Sequence, residues 1–356
     1  MLPQPPRNGS DPASFDHISE SSKPEQVTHR KHYMIYMIPG NPGLIQYYKS
    51  FLATLSLVLS SASTPFSIEG HSLAGFECST SSYITPHNLE QQVLHVESRI
   101  ETSIKQTQNS SANRCTDPTG QSPTKVILIG HSVGSYILLE ILRRHRQSSQ
   151  TRFFEIVGGI LLFPTVTHIA RSPSGLKLSK VIQIPYLPHI VGSFARVAAA
   201  IIPTKVLVWL IKTVTKFPED AARTTWRFLQ RSLGVREALY LARDEMKTIT
   251  EDAWDDEVWG AATSPATSVL VSRPKLIFYF GQNDHWVADH TRDELIAARA
   301  SMPPEDGLLR EDKPQMMIDQ DHVPHGFCIK HSEMVAEKVQ GWVEEIVDHD
   351  MTKKSS

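Results

Sequence analysis

The chain has 356 residues, with 36 basic against 38 acidic side chains and a formal net charge of -2. That length suits one large α/β domain carrying an insertion, and the balanced charge gives no whole-molecule field to draw in nucleic acid. Three scattered cysteines, Cys78, Cys115 and Cys328, with no CxxC pair, argue against a cysteine metal site or a redox motif and fit reduced thiols in the cytosol.

Residues 1–30 are rich in Pro, Ser, Asp and Glu and lack the apolar run of a secretory signal; they read as a disordered leader. Leu2 excludes an N-myristoylation signal, and the sequons at Asn8 and Asn109 then carry little weight. A domain spanning about 31–350 follows. Tyr33–Ile38 (YMIYMI) is a short apolar run stopped by Pro39-Gly40-Asn41-Pro42-Gly43, the pattern of a buried strand feeding a loop, with a helix beginning over Ile45–Phe51. The Ser, Thr, Gln and Asn content of 103–124 predicts a long polar surface loop. Lys125–Ile129 (KVILI) is a second buried strand, and Tyr136–His145 has helical apolar spacing. Further strands are expected at Ile156–Phe163 and Lys275–Phe280 (KLIFYF), and a C-terminal helix over Phe327–Val347. Apolar strands alternating with helices imply a mostly parallel sheet covered on both faces.

About 110 residues separate the last two of these strands, where a crossover needs only a dozen or so, so an insertion is expected over about 166–265. Its most apolar part is 181–214. Arg196, Lys205 and Lys212 interrupt it and Pro185, Pro188 and Pro203 break it, so it contains no run of the length a membrane span needs. Two short helices joined at Pro203 and lying in a lipid interface fit this pattern. A cap packed over an active site fits it equally, and both can hold.

Gly130-His131-Ser132-Val133-Gly134 matches G-x-S-x-G, whose glycines allow the strained strand-to-helix turn that presents a serine hydroxyl at a sheet edge. The pentapeptide alone arises by chance on the order of one time in ten in this length; KVILI before it and a helical pattern after it supply the required setting. Gly70-His71-Ser72-Leu73-Ala74 lacks the last glycine and the following helix, so Ser72 is assigned a structural part. The pattern is that of the α/β-hydrolase fold, in which a nucleophile is followed in the chain by an acid and then a histidine.

A serine hydroxyl needs a histidine base, and that imidazole an acid that fixes its tautomer. Asp284, close after KLIFYF, is the first choice of acid; the plain alternative is that it is a turn aspartate capping the next helix, and Asp289 is the weaker candidate. His325, on the loop before the last helix with Gly326 beside it, is the best-placed base, with His322 and His331 as rivals. Backbone N–H groups must stabilise the oxyanion, at about 2.7 to 4 kcal/mol per donor. Val133, just after the nucleophile, is one candidate, and Asn41 the other, since Pro42 has no N–H. This chemistry calls for neither metal nor organic cofactor.

Six blocks, IPGNPGLIQYY at 38–48, NLEQQVLH at 88–95, LIGHSVGSY at 128–136, LLFPTVTHIARSPSG at 161–175, YFGQNDHWV at 279–287 and HGFCIKHSE at 325–333, together resemble the lipid droplet-associated hydrolases. The resemblance implies a serine esterase or lipase with Ser132 as nucleophile, Asp284 as acid and His325 as base. It also implies residence on lipid droplets and the cytosolic face of the endoplasmic reticulum, and turnover of sterol esters or acylglycerols. The segment 181–214 falls where droplet targeting would be expected, and the polar stretch 103–124 is longer than that family leads one to expect. Two other readings stay open: a droplet-bound protein that influences lipid storage through its surface with little catalysis, and a soluble esterase or thioesterase for small acyl groups.

Overall fold

YMIYMI and KVILI carry no polar alternation because the strands they form are covered on both faces. In the computed structural model, which describes residues 17–21, 33–62, 64–77, 85–112, 123–148, 153–231, 233–255, 258–259, 273–300 and 313–353, these runs are β2 (Tyr33–Ile38) and β4 (Thr124–His131). Among the described residues the sheet has seven strands, in the order β1-β3-β2-β4-β5-β6-β7. The others are β1 (His17–Ser21), β3 (Phe66–His71), β5 (Phe154–Leu162), β6 (Lys275–Phe280) and β7 (Gln315–Ile318). Of these strands only β1 runs antiparallel, beside β3.

Parallel neighbours need crossovers, and helices supply them on both faces. On one face lie α1 (Lys49–Leu59) and the C-terminal helix α10 (Ser332–Thr352), where Phe51, Leu55, Val339 and Val343 pack on Ile35, Ile127 and Ile160. The other face is covered by α2 (Leu89–Ala112) and α3 (Val133–Gln147), through Val93, Ile100, Ile137 and Ile141. Functional side chains are expected where the parallel strands end, and the loops after Ile38, His131, Leu162 and Phe280 all open at that edge.

Two expectations need correction. Residues 1–30 are not uniformly a disordered leader: His17–Ser21 pairs along β3, His17 with His71 through Ser21 with Ser67, and buries Ile18. An edge strand is held by its ladder of backbone hydrogen bonds, so composition gives little warning of it. The rest of the leader, 1–16 and 22–30, lies outside the described residues. The polar loop is also shorter than expected, because α2 runs on to Ala112. Leu89, Val93, Val96, Ile100 and Ile104 keep a helical stripe buried, and Gln108 Nε2 donates to Thr124 Oγ1 at 3.0 Å. Residues 113–122 of that loop, and with them Cys115, lie outside the described residues, as do Cys78 and 260–265 of the insertion.

Among the described residues the connection from β5 to β6 carries five α-helices, α4 (Pro173–Ile182), α5 (Leu187–Ile201), α6 (Thr204–Thr215), α7 (Glu219–Gln230) and α8 (Gly234–Thr248). Pro203 stands between α5 and α6 as the N-cap of the latter. Among the described residues no single helix is long and apolar enough to cross a membrane; α4 and α5 reach that composition only as a pair, bent by 93°.

Far from the strand ends the last helix is tied down electrostatically. Lys125 Nζ lies 3.0 Å from Asp350 Oδ1, and Tyr33 donates its hydroxyl to Asp350 Oδ2 at 2.8 Å, with all three residues buried. Removing one partner of a buried ion pair leaves the other charge uncompensated. Lys125→Met is therefore expected to lower the unfolding free energy by about 3 to 5 kcal/mol in chemical denaturation; a loss under about 1 kcal/mol would contradict this role.

Candidate active site

β4 feeds α3 through a single residue, Ser132, with φ 54° and ψ -124°. A non-glycine residue adopts such a conformation only where its surroundings enforce it, and here two glycines make the approach possible. A Cβ on Gly130 would lie 2.5 Å from Gly134 O, and one on Gly134 would overlap the Ile38 carbonyl oxygen of β2. Helix α3 thus starts directly beneath the loop that follows β2, and Ser132 N donates to Leu162 O at 3.0 Å.

The candidate acid and base come from later strand ends. Asp284 follows β6, and its Oδ1 accepts the Trp286 N–H at 2.8 Å. Its other oxygen, Oδ2, lies 2.7 Å from His325 Nδ1, and His325 Nε2 is 3.0 Å from Ser132 Oγ. Burial alone would raise the Asp284 carboxyl, but the His325 charge, its hydrogen bond and the Trp286 N–H outweigh it and hold Asp284 below the ordinary carboxylate range. His325 can then carry its proton on Nδ1 and leave Nε2 free to accept the serine proton. Ser132, Asp284 and His325 are therefore brought together. The rivals are not: Asp289 at the start of α9 (Asp289–Arg299) pairs with Arg292 at 2.7 Å, His322 is exposed, and His331 precedes α10. Ser72 accepts the Ile45 N–H at 3.3 Å, away from the triad.

Val133 is the first residue of α3, where backbone N–H groups lack helical partners. Across from it Gly40 lies so close that a Cβ would sit 2.9 Å from Ser132 Cβ. The Gly40 N–H is committed to Tyr48 Oη at 2.9 Å, which leaves Asn41, ahead of Pro42, as the next donor in that loop.

Several site residues escaped the sequence reading. His131 Nε2 is 2.8 Å from the His325 carbonyl oxygen, and His131 Nδ1 is 2.7 Å from Tyr48 Oη. A carbonyl can only accept, so Nε2 carries the hydrogen. Burial, with the His325 charge, lowers the His131 imidazole to about 3, so the ring is neutral and its Nδ1 accepts the Tyr48 hydroxyl proton. The relay runs from Gly40 N–H through Tyr48 and His131 to the backbone of His325. Phe327 supports it, stacked on Phe163 at 5.7 Å and edge-on to His131 at 5.1 Å. Asp319 steadies the same loop from the end of β7 by accepting the Val323 N–H at 2.6 Å. A histidine in the G-x-S-x-G pentapeptide was the one available signal.

The inserted helices reach the site from two sides. Asn41 Nδ2 donates to Ala238 O and to Glu245 Oε1 of α8, each at 2.9 Å. Burial pushes the Glu245 carboxyl up to about 8, the Asn41 bond acting in the opposite direction. At the acid loop Ser174 of α4 donates its N–H to His285 O at 2.8 Å and meets His285 Nδ1 at 2.9 Å. Among the described residues no group of three His, Cys, Asp or Glu side chains is placed to hold a metal ion.

A serine on a strained strand-to-helix turn at the edge of a mostly parallel sheet defines the α/β-hydrolase class. Solved structures with this fold include a haloalkane dehalogenase from Bradyrhizobium elkani (TM-score 0.54, 11% identity, 94% of this chain and 99% of that one). A soluble variant of monoglyceride lipase from Saccharomyces cerevisiae is similar as well (TM-score 0.51, 12% identity, 97% and 99%). Residues 31–328 match the model of the lipid-droplet associated hydrolases, and the chain belongs to that family. Relatives named lipid droplet-associated hydrolase include those of Dictyostelium discoideum (28% identity, 87% of this chain and 86% of the relative) and Homo sapiens (22%, 88% and 86%).

Tyr48→Phe removes the hydroxyl that serves both Gly40 N–H and His131 Nδ1. Each buried polar group left unpaired costs about 1 to 3 kcal/mol, so a stability loss of about 2 kcal/mol or more is expected in chemical denaturation. An unchanged midpoint and slope would contradict the relay.

Proposed function

We propose that this protein is a serine esterase acting on neutral-lipid esters, sterol esters or acylglycerols, at the surface of lipid droplets. The observation that carries the reading is the hydrogen-bonded chain from Ser132 Oγ through His325 to Asp284, with 3.0 and 2.7 Å steps. Ser132 Oγ attacks the ester carbonyl carbon while its proton passes to His325 Nε2. The tetrahedral oxyanion lies against the Val133 and Asn41 N–H groups, and its collapse expels the alcohol, which takes the proton back from His325. Water then attacks the acyl-enzyme with the same base, releasing the acid and restoring Ser132. Asp284 orients the imidazole and balances its transient charge.

The insertion supports the lipid side of the reading. Tyr186, Phe194, Ile201, Trp209 and Val214 on and beside α5 and α6 are 61 to 79% exposed, and Arg196, Lys205 and Lys212 are exposed around them. Monomeric proteins rarely leave such a large apolar patch in water. A face of this kind sinks into a lipid interface with its cations at the rim, and the cytosolic face of the endoplasmic reticulum would accept it as a droplet does. The segment would then serve both as docking face and as cap.

Emulsified sterol esters and triacylglycerols, beside a soluble short-chain ester, form the test. The wild type is expected to hydrolyse at least one emulsified ester, and Ser132→Ala to lose at least about 10³-fold of that rate. Emulsion binding without turnover of any ester would favour a lipid-bound protein with little catalysis. Replacing Phe194 and Trp209 by Glu is expected to weaken emulsion binding by at least about a hundredfold, since each buried aromatic contributes about 1.5 to 3 kcal/mol, with soluble-ester turnover within about twofold. Unchanged binding would remove the docking face from the account.

A further inference from the structure

The oxyanion loop is held from outside the sheet as well as from within it. Asn41 extends its side chain to α8, where Nδ2 is shared between Ala238 O and Glu245 Oε1 at 2.9 Å each. Glu245 is buried, and at its raised value of about 8 it is mostly uncharged at pH 7. A neutral acceptor behind Asn41 holds the loop without adding a negative charge that would oppose the one forming on the oxyanion. A second tie follows a few residues on, where Tyr47 Oη meets Thr225 Oγ1 of α7 at 2.8 Å. Helix α8 in turn carries α5 on another side: a Cβ on Gly192 would lie 3.3 Å from Arg236 Cβ.

We propose that Glu245 is a positioning residue of the reaction: through Asn41 it sets the loop that presents the Asn41 N–H to the oxyanion, making helix α8 of the insertion a working part of the oxyanion hole. The inference rests on the esterase reading above and adds to it a physical line from the apolar face of α5, through α8, to the atoms beside Ser132. An insertion that only covered the site would need no such bond.

The test uses the full chain and three variants, Glu245→Leu, Glu245→Gln and Asn41→Ala, with the Leu–Ala double variant. A misplacement of about 1 Å in a catalytic group can lower a rate about a hundredfold. Glu245→Leu is therefore expected to reduce kcat on a soluble ester by about 10- to 100-fold, with KM within about twofold. The Gln variant, which has the shape of the neutral carboxyl and an oxygen to accept the Asn41 bond, should recover most of that loss. Since Glu245→Leu and Asn41→Ala break the same contact, the double variant should be no slower than the slower single one. Amide hydrogen exchange over residues 38–48 reads the clamp whether or not any ester is turned over, and is expected to quicken in the Leu variant and return toward wild type in the Gln variant. Wild-type exchange and wild-type kcat in Glu245→Leu would overturn the inference, as would strictly additive losses in the double variant. Failure of Ser132 to react at all, with the exchange response intact, would count against the esterase reading and leave the clamp standing.

Discussion

Everything in the site depends on the close packing of α3 under β2. Because α3 begins where a side chain at Gly134 would strike the Ile38 carbonyl, Ser132 has no room for an ordinary strand-to-helix turn and is held at φ 54°. That constraint does three things together. It lifts the hydroxyl to the sheet edge, sets the Val133 N–H beside it at a helix start, and brings Gly40 almost into contact with Ser132 Cβ. Strain of about 1 to 3 kcal/mol at one residue persists because the strand and helix residues on either side, from Lys125 to Ser135, are buried.

Around this fixed point the other loops are referenced to one another rather than merely placed near it. The Tyr48–His131 relay links the oxyanion loop to the backbone of the candidate base, so a shift in one is resisted by the other. Asp319 and Phe327 hold the base loop from below. The insertion touches the same frame twice, at Asn41 and at His285. An apolar face exposed on α5 and α6 and a triad joined by hydrogen bonds are thus parts of one connected body, as an enzyme working at a lipid surface would require.

Much of this was legible in the sequence where local pattern and tertiary role coincide. The apolar runs named β2, β4, β5 and β6 because both faces of those strands are buried, and the pentapeptide named its turn because only glycine fits there. Chain order pointed to Asp284 and His325 as candidates, and the fold brings both beside Ser132. What stayed hidden depends on partners distant in the chain. Nothing in HISES at 17–21 announces a strand, since its hold is the ladder on β3. The stripe from Leu89 to Ile104 was masked by the Ser, Thr and Gln content of the tail of α2. Glu245 lies about two hundred positions from Asn41, and its burial is visible only once α8 is packed against the loop.

The central claim is that Ser132 is an activated nucleophile, and covalent labelling tests it most directly. Intact-protein and peptide mass spectrometry after treatment with a fluorophosphonate would read both stoichiometry and position. One phosphonyl group per chain on the peptide containing Ser132, absent in Ser132→Ala and strongly slowed in His325→Ala, is the expected result. No adduct in folded wild-type protein, or an adduct on another serine that survives in Ser132→Ala, would contradict the account.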